Sequence, residues 1–459
     1  MRKVKTRDAD TLTVVSAYLR LKGEHTFVLE SMGHQAQSSR YSIIALDPVH
    51  EFQSTGHEVT IDGQTKTSED PLADLQDLVV VQNQAIPGLP FQGGAIGYVG
   101  FDTVAVYEKL GPQPVNDLDM PDTHLFLYET FVIFDHQSLT LTIVADDVYS
   151  HRADLDQVID QIEAKLDTVS PAESQPVHLH ELHPESNMSK EYFEQMVERS
   201  KALIADGDMF QIVPSQRFGF DFEDQPFDFY RQLRRSSPSP YMYYLDYGDY
   251  QIIGASPESL VTVRGDEVTT NPIAGTRKRH RNPADDQQIA DELSHNEKEL
   301  AEHKMLVDLG RNDIGKVSEY GSVQVTRLLD IEKYRYVMHL VSEVVGKLKP
   351  DTPAIAALKA TLPAGTVSGA PKVRALQRIY EMEPVKRGVY AGAVGYLSQD
   401  NQMDFAIGIR TMVVKDGRGY VQAGAGIVYD SIPANEYQET LNKARALLHV
   451  GGFENDFTS

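Results

Sequence analysis

The sequence predicts an α+β fold built mainly on antiparallel sheets. Strand-like runs follow one another with no helix between them, both before residue 165 and in the last third. A doubly wound fold would alternate strands and helices instead. Helical spacing is confined to a handful of separate segments. The chain has 459 residues, 41% hydrophobic and 24% charged, enough apolar material for a large core.

In chain order, residues 41–45, 131–134 and 139–144 read as strands, the last placing threonines between apolar residues. Residues 93–100 are glycine-rich but lack the helix and lysine of a phosphate loop, so they predict closely packed strands. Residues 155–166 have helical spacing. Pro171, Pro176 and Pro184 mark a linker, which divides the chain into 1–168, 169–187 and 188–459. Ser189 is placed to cap a helix running to 205. A strand starts at 211, and 241–245 pairs with 252–253 across the Tyr247-Gly248-Asp249 turn. Asn282-Pro283 opens one long helix to about Leu309, with Ile289, Leu293, Leu300 and Val307 near helical period. Residues 337–342, an apolar run containing His339, also read as helical. Residues 354–361, 372–380 and 433–449 predict helices, and 390–397, 405–414 and 420–425 predict strands.

The charge balance narrows the function. There are 67 acidic and 43 basic residues, a net −24 at pH 7, which disfavours phosphate backbones and anionic lipid. No apolar run approaches membrane-span length. Met1-Arg2-Lys3-Val4-Lys5 is not followed by the apolar core of a signal peptide. A cytoplasmic protein that binds neither nucleic acid nor membrane is expected. The absence of cysteine removes disulfides, thiolate metal ligands and every cysteine nucleophile.

Two acidic helices attract attention. Glu299 and Glu302 share a face by their spacing of three, and Glu436 and Glu439 repeat it near the start of the last helix. Facing each other, the two pairs would offer hard oxygen ligands suited to Mg²⁺. Solvated faces of an acidic protein show the same spacing. Around them lie Gly275, Thr276 and Arg277, the small-residue turn 362–372 with Thr366, Arg410 on a strand, and Gly424, Ala425 and Gly426 at a strand end. Backbone N–H groups and an arginine fork suit carboxylates. Together these segments describe a pocket for a small dicarboxylate with a divalent metal.

At these residues the chain resembles the chorismate-utilising enzymes, and among them the large, aminating subunits of anthranilate synthase. The resemblance rests on Gly254-Ala255-Ser256-Pro257-Glu258-Ser259, on P-I-A-G-T-R from 272, on E-L-A-E-H with the following L-V-D-L-G-R-N-D, on G-T-V-S-G-A-P-K from 365, and on G-A-G-I-V from 424. It implies a four-layer α/β/β/α arrangement with two orthogonally packed sheets, in which the N-terminal segment contributes strands. It implies amination of chorismate at C2 with loss of the 4-hydroxyl, then elimination of pyruvate to leave anthranilate. Carried over position by position, Glu302 and Glu439 would bind Mg²⁺ directly, with Glu299 and Glu436 acting through water or as support. Gly275, Thr276, Tyr390, Arg410, Gly424, Ala425 and Gly426 would bind the substrate. Glu258 would be the general acid, with His339 and Thr366 beside the reaction.

Two positions separate this chain from relatives. Those that make 4-amino-4-deoxychorismate, the alternative outcome on the same scaffold, typically carry a nucleophilic lysine where Ala274 stands. Those that add water carry a lysine base where Gln211 stands, and a glutamine amide is a far weaker base. A chain without cysteine cannot hydrolyse glutamine by the thiol route, so ammonia would come from a glutamine amidotransferase subunit. Glu30 and Ser31, with Pro240, Tyr241 and Met242, resemble the family's tryptophan-binding motifs, although Val28 and Ser237 depart from them. This similarity implies a regulatory N-terminal region ahead of a catalytic 188–459.

Overall fold

The computed structural model describes residues 1–32, 40–82, 85–333 and 337–450. Two large sheets dominate, and every named strand pairing in them is antiparallel. The first runs, neighbour by neighbour, through Arg2–Asp8, Thr140–Asp146, Thr130–Asp135, Tyr41–Leu46 and Phe27–Glu30. It continues through Tyr241–Asp246, Tyr250–Ser256, Thr411–Lys415, Arg418–Gly424, Ser215–Asp221 and Glu185–Ser186. The second runs from Ile273–Lys278 through Val337–Lys347, Glu267–Thr270, Ser259–Arg264, Met403–Ile407 and Ala393–Ser398. It ends through Gly94–Val99, Thr123–Tyr128, His50–Thr55, Glu58–Ile61 and Gln64–Thr67.

The period-two alternation of strands assigns the layers. Phe27, Ile43, Ala45 and Tyr243 of the first sheet share one cluster with Ile96, Tyr98, Phe126 and Tyr396 of the second. Their chain neighbours Val28, Ile44 and Tyr244 pack outward with Val14, Ile159, Tyr230 and Ala444 of four helices. On the other sheet, Ala95, Val99 and Leu125 pack outward with Leu75, Leu358 and Leu376 of helices. The order is therefore helix, sheet, sheet, helix. The fold is the expected α+β sandwich.

In both sheets the strands before the sequence boundary at 169–187 and those after it lie side by side as two blocks, joined where Phe27–Glu30 pairs with Tyr241–Asp246 and where Gly94–Val99 pairs with Ala393–Ser398. Part of the boundary segment, Glu185–Ser186, pairs with Ser215–Asp221. The close packing expected of residues 93–100 holds at Gly97, where a Cβ would stand 2.2 Å from the His124 carbonyl oxygen.

Four expected elements are corrected. The long helix from Pro283 is two, Pro283–Ser294 and Glu297–Gly315. Asn296 restarts it by accepting from the Glu299 N–H at 3.1 Å, a side-chain cap that competes with helix continuation. Residues around His339 form the strand Val337–Lys347, not a helix. β-Branched residues are dense in that run, and neighbouring strands pair along both of its edges. The expected strand 390–397 begins only at Ala393, which leaves Tyr390 in the preceding turn. Residues 405–414 are two strands, Met403–Ile407 and Thr411–Lys415, lying in different sheets. Arg410 stands in the crossover with φ 51°. Pro257-Glu258 makes a parallel crossing between Tyr250–Ser256 and Ser259–Arg264. The two crossings are tied by Ala255 N–H to Arg410 O at 3.1 Å and Ile407 N–H to Glu258 O at 3.0 Å.

Candidate active site

The paired crossings place an acid and a cation at one end of the inter-sheet layer. Glu258 is buried, and burial pushes its carboxyl up to about 8, against the opposing influence of the Thr366 hydroxyl and the Lys443 charge. The Thr366 hydroxyl adjoins it yet forms no hydrogen bond of normal geometry within the protein. Both line one small cavity with Asn271, Gly310 and Ala364. The turn that carries Thr366 is held by Gly369 at φ 135°, where a Cβ would fall 2.2 Å from the Gln211 carbonyl oxygen.

The two acidic helices converge from opposite sides. Glu302 is raised first by burial and then by the charges of Glu299 and Glu439, the latter on Pro433–Leu448. Glu436 is raised by burial and by Glu439, and Lys298 of the first helix moderates both glutamates. Each carboxylate already has a protein partner. Gln211 Nε2 donates to Glu302 at 2.7 Å, Arg277 to Glu299 at 3.0 Å, Lys443 meets Glu439 at 2.7 Å, and Ser431 donates to Glu436. Among the described residues no group of three or more histidine, aspartate or glutamate side chains is gathered closely enough to hold a metal ion. The donor set itself fits Mg²⁺: hard oxygens on two helices, where burial and then neighbouring negative charge raise Glu302 and Glu436.

His339 faces this region from Val337–Lys347. Its Nδ1 lies 3.1 Å from Thr276 Oγ1. Burial and the nearby Arg410 charge lower it to about 4, so the imidazole is neutral at pH 7. Gly275, at φ 62°, lies between His339 and Glu299; a Cβ there would meet the Glu299 carboxylate at 3.0 Å. The Arg410 side chain reaches solvent, yet enough protein surrounds it that desolvation lowers its pKa, as befits a cation standing in a cleft. No described side chain pairs with its guanidinium. Burial pushes Tyr390 up to about 12, and its hydroxyl lies 2.8 Å from where a Gly424 Cβ would project. Gly426 adjoins Gln211 and Glu302. Two of the expected backbone donors already have partners: the Ala425 N–H is spent on the Pro214 carbonyl at 3.1 Å, and the Gly424 N–H faces the Tyr390 hydroxyl.

Lys443 escaped the sequence reading. It donates to the Gly424 carbonyl at 2.9 Å and lies within charge reach of Glu258, so it links the acidic helix, the glycine strand end and the acid. Its spacing of four from Glu439 was the available signal. Also missed was the buried Arg387–Glu383 pair beneath the site.

A second cavity, of about 250 Å³, lies between the sheets. Glu30, Ser31, Pro240, Tyr241 and Met242 all line it. Both Glu30 oxygens are held by Arg234, at 2.8 and 2.9 Å, and one also by the Tyr230 hydroxyl at 2.6 Å. Glu30 thus braces the cavity wall.

Residues 24–449 match the family described as chorismate binding enzyme. The chain is 50% identical to anthranilate synthase component 1 of Lactococcus lactis over 98% of its own length and 100% of that protein. It is 43% identical to the component 1 of Acetivibrio thermocellus, over 96% and 93%. The crystal structure of anthranilate synthase component I from Streptococcus pneumoniae superposes with a TM-score of 0.85 at 50% identity, covering 96% of this chain and 98% of that one. The menaquinone-specific isochorismate synthase of Escherichia coli shares the fold, with a TM-score of 0.74 at 22% identity over 98% and 95%. No described helix is long and apolar enough to cross a membrane. With a buried high-pKa acid, a cleft arginine and two converging acidic helices in place, the chain belongs to the chorismate-binding enzyme family, in the group formed by the first components of anthranilate synthase.

Proposed function

We propose that the chain aminates chorismate at C2, expels the 4-hydroxyl and then eliminates pyruvate, yielding anthranilate. The observation that carries this reading is Glu258: a carboxyl protonated at neutral pH, buried beside an unpaired Thr366 hydroxyl, can donate to a departing hydroxyl. Arg410 and Tyr390 clamp a substrate carboxylate, with Gly424 and Gly426 allowing close approach. Neutral His339, oriented by Thr276, serves the elimination as a hydrogen-bond partner. Glu302 and Glu439 would hold Mg²⁺, with Glu299 and Glu436 in support, once Gln211, Lys443 and Arg277 yield their hydrogen bonds. When bound, the ion would neutralise the ring carboxylate and draw electron density toward C1. Ala274 offers no amine for covalent chemistry. Gln211 spends its N–H on Glu302, so neither residue supports the para-amination or hydration outcomes. Ammonia comes from a glutamine amidotransferase subunit. The test is product analysis with chorismate, ammonium and Mg²⁺. Anthranilate fluorescence and pyruvate are expected in equal amounts and are lost on chelation; accumulation of 4-amino-4-deoxychorismate would refute the ortho assignment.

Tryptophan in the second cavity would act as feedback inhibitor of a cytoplasmic pathway enzyme. The Tyr241 phenol in that cavity lies against Asp404 and Ser259. Asp404 sits on Met403–Ile407, whose last residue hydrogen-bonds the Glu258 backbone. Four residues of one strand, Asp404 to Ile407, therefore join the cavity to the acid, a short element for both sites to bias. Ser31→Leu fills the cavity, and tryptophan titration of turnover is expected to need at least about tenfold more ligand, the cost of one displaced side-chain contact. An unchanged titration would remove Ser31 from the site.

A further inference from the structure

A third cavity lies outside both sites described above. The helix Pro226–Ser236 lines it with Arg231, Arg234 and Arg235. Their spacing of three and four puts the three side chains on one helix face. Residues 175–177 of the boundary segment also line it, as does Thr13 at the start of the helix Val14–Leu21. The free space is about 370 Å³, within the range of small-molecule sites. Among the described residues no aspartate or glutamate lines it. A lining whose only charges are positive stands out in a chain of net −24.

The three guanidinium groups keep donors to spare. Arg234 spends Nε and Nη2 on Glu30, which leaves Nη1 without a partner among the described residues. Arg231 spends Nη1 on Asp228 of its own helix, at 2.9 Å. Arg235 is exposed and pairs with no carboxylate among the described residues. A helix C-terminus favours cations, which accounts for Arg234 and Arg235 in the last turn. It does not account for Arg231 on the same face, or for the segment 175–177 and Thr13 around the cluster. Like charges at this spacing repel one another. An anion among them removes that repulsion and accepts charge-assisted hydrogen bonds from several forks at once. Planar guanidinium forks suit the oxygens of a phosphate group in particular. The space is larger than one phosphate, so it also has room for a small group esterified to it.

We propose that this cavity binds a phosphate group, free or carried on a small metabolite, through Arg231, Arg234 Nη1 and Arg235. The site does not depend on the amination reading. Arg234 joins it to the wall of the second cavity, because the same guanidinium braces Glu30. The test therefore leaves Arg234 in place. It is calorimetric titration of the full chain at pH 8 and fixed ionic strength, without divalent metal. The ligands are inorganic phosphate and glucose 6-phosphate, and the proteins are wild type, Arg231→Gln, Arg235→Gln and Arg410→Gln. Saturable binding is expected in wild type. It should be at least about tenfold weaker in Arg231→Gln and in Arg235→Gln, the loss of one charge-assisted hydrogen bond, with melting temperatures near that of wild type. Arg410→Gln, altered only in the substrate site, is expected to bind as wild type does. Tighter binding of the sugar phosphate would assign the site to an ester; equal or weaker binding would assign it to free phosphate. No saturable binding in wild type, wild-type affinity in both helix variants, or loss of binding in Arg410→Gln would each overturn the site.

Discussion

Glu258→Gln is expected to lower anthranilate formation by about 10²–10⁴-fold, the range for loss of a general acid, while raising the melting temperature above neutral pH. The two effects have one origin. In the folded chain the carboxyl holds its proton to about pH 8, against an ordinary value of 4.5. Between those values the folded state binds a proton that the unfolded chain has released, so stability falls as pH rises through the window. Below the lower value both states are protonated and the contribution is fully present; above the upper value it is lost. Glutamine carries no charge to bury, so the advantage of the variant grows from about pH 5 to about pH 8 and then levels off. Wild-type turnover should fall on its basic limb as pH rises through the top of that window, where the general acid loses its proton. Melting curves at pH 5.5 and 8.5 and a pH profile of kcat/KM check both halves. A melting-temperature difference independent of pH would show that the carboxyl is not the buried, protonated group described here.

The residue types of the site were legible in the sequence; the places where the chain changes direction were not. Glu299, Glu302, Glu436 and Glu439 declare a shared face by spacing alone, and the structure brings the two helices together. The glycine-rich 93–100 was readable because only close strand contact explains so many missing side chains. By contrast, residues 405–414 are apolar apart from Arg410 and Thr411, and alternation cannot mark the point where a strand leaves one sheet for the other. That point, Gly408 to Arg410, is where the arginine acquires its position. His339 misled because its apolar neighbours suit a buried helix as well as a strand, and only pairing partners distant in sequence decide between them. The apolar period runs on across Asn296, so the break that its side chain caps does not show in that period. Lys443 reads as an ordinary helix-face lysine until Gly424 and Glu258, far away in the chain, are folded against it.

Arg387→Met is expected to destabilise the fold by about 3–5 kcal/mol, the cost of orphaning a buried ionic partner, a large share of the ~5–15 kcal/mol that holds a typical domain together. Arg387 and Glu383 are nearly inaccessible, at 1% and 3% side-chain exposure, and bond bidentately at 2.5 and 2.8 Å. The guanidinium also donates to the Val213 carbonyl at 2.6 Å and to that of Val367 at 2.8 Å. Glu383 accepts from the Ser215 N–H at 2.7 Å. Arg387 lies over the rings of Phe101 and Tyr390, 4.5 and 5.5 Å from their centroids. One ion pair thus fastens the strand around Gln211, the turn bearing Thr366, and Tyr390 into a single floor. Removing the arginine leaves a carboxylate with no countercharge. Pairing the change with Glu383→Gln removes the orphaned charge and should recover part of the loss, a non-additivity that a double-mutant cycle in urea would measure. Additive losses in that cycle would mean that the two side chains stabilise the floor independently and not as a pair.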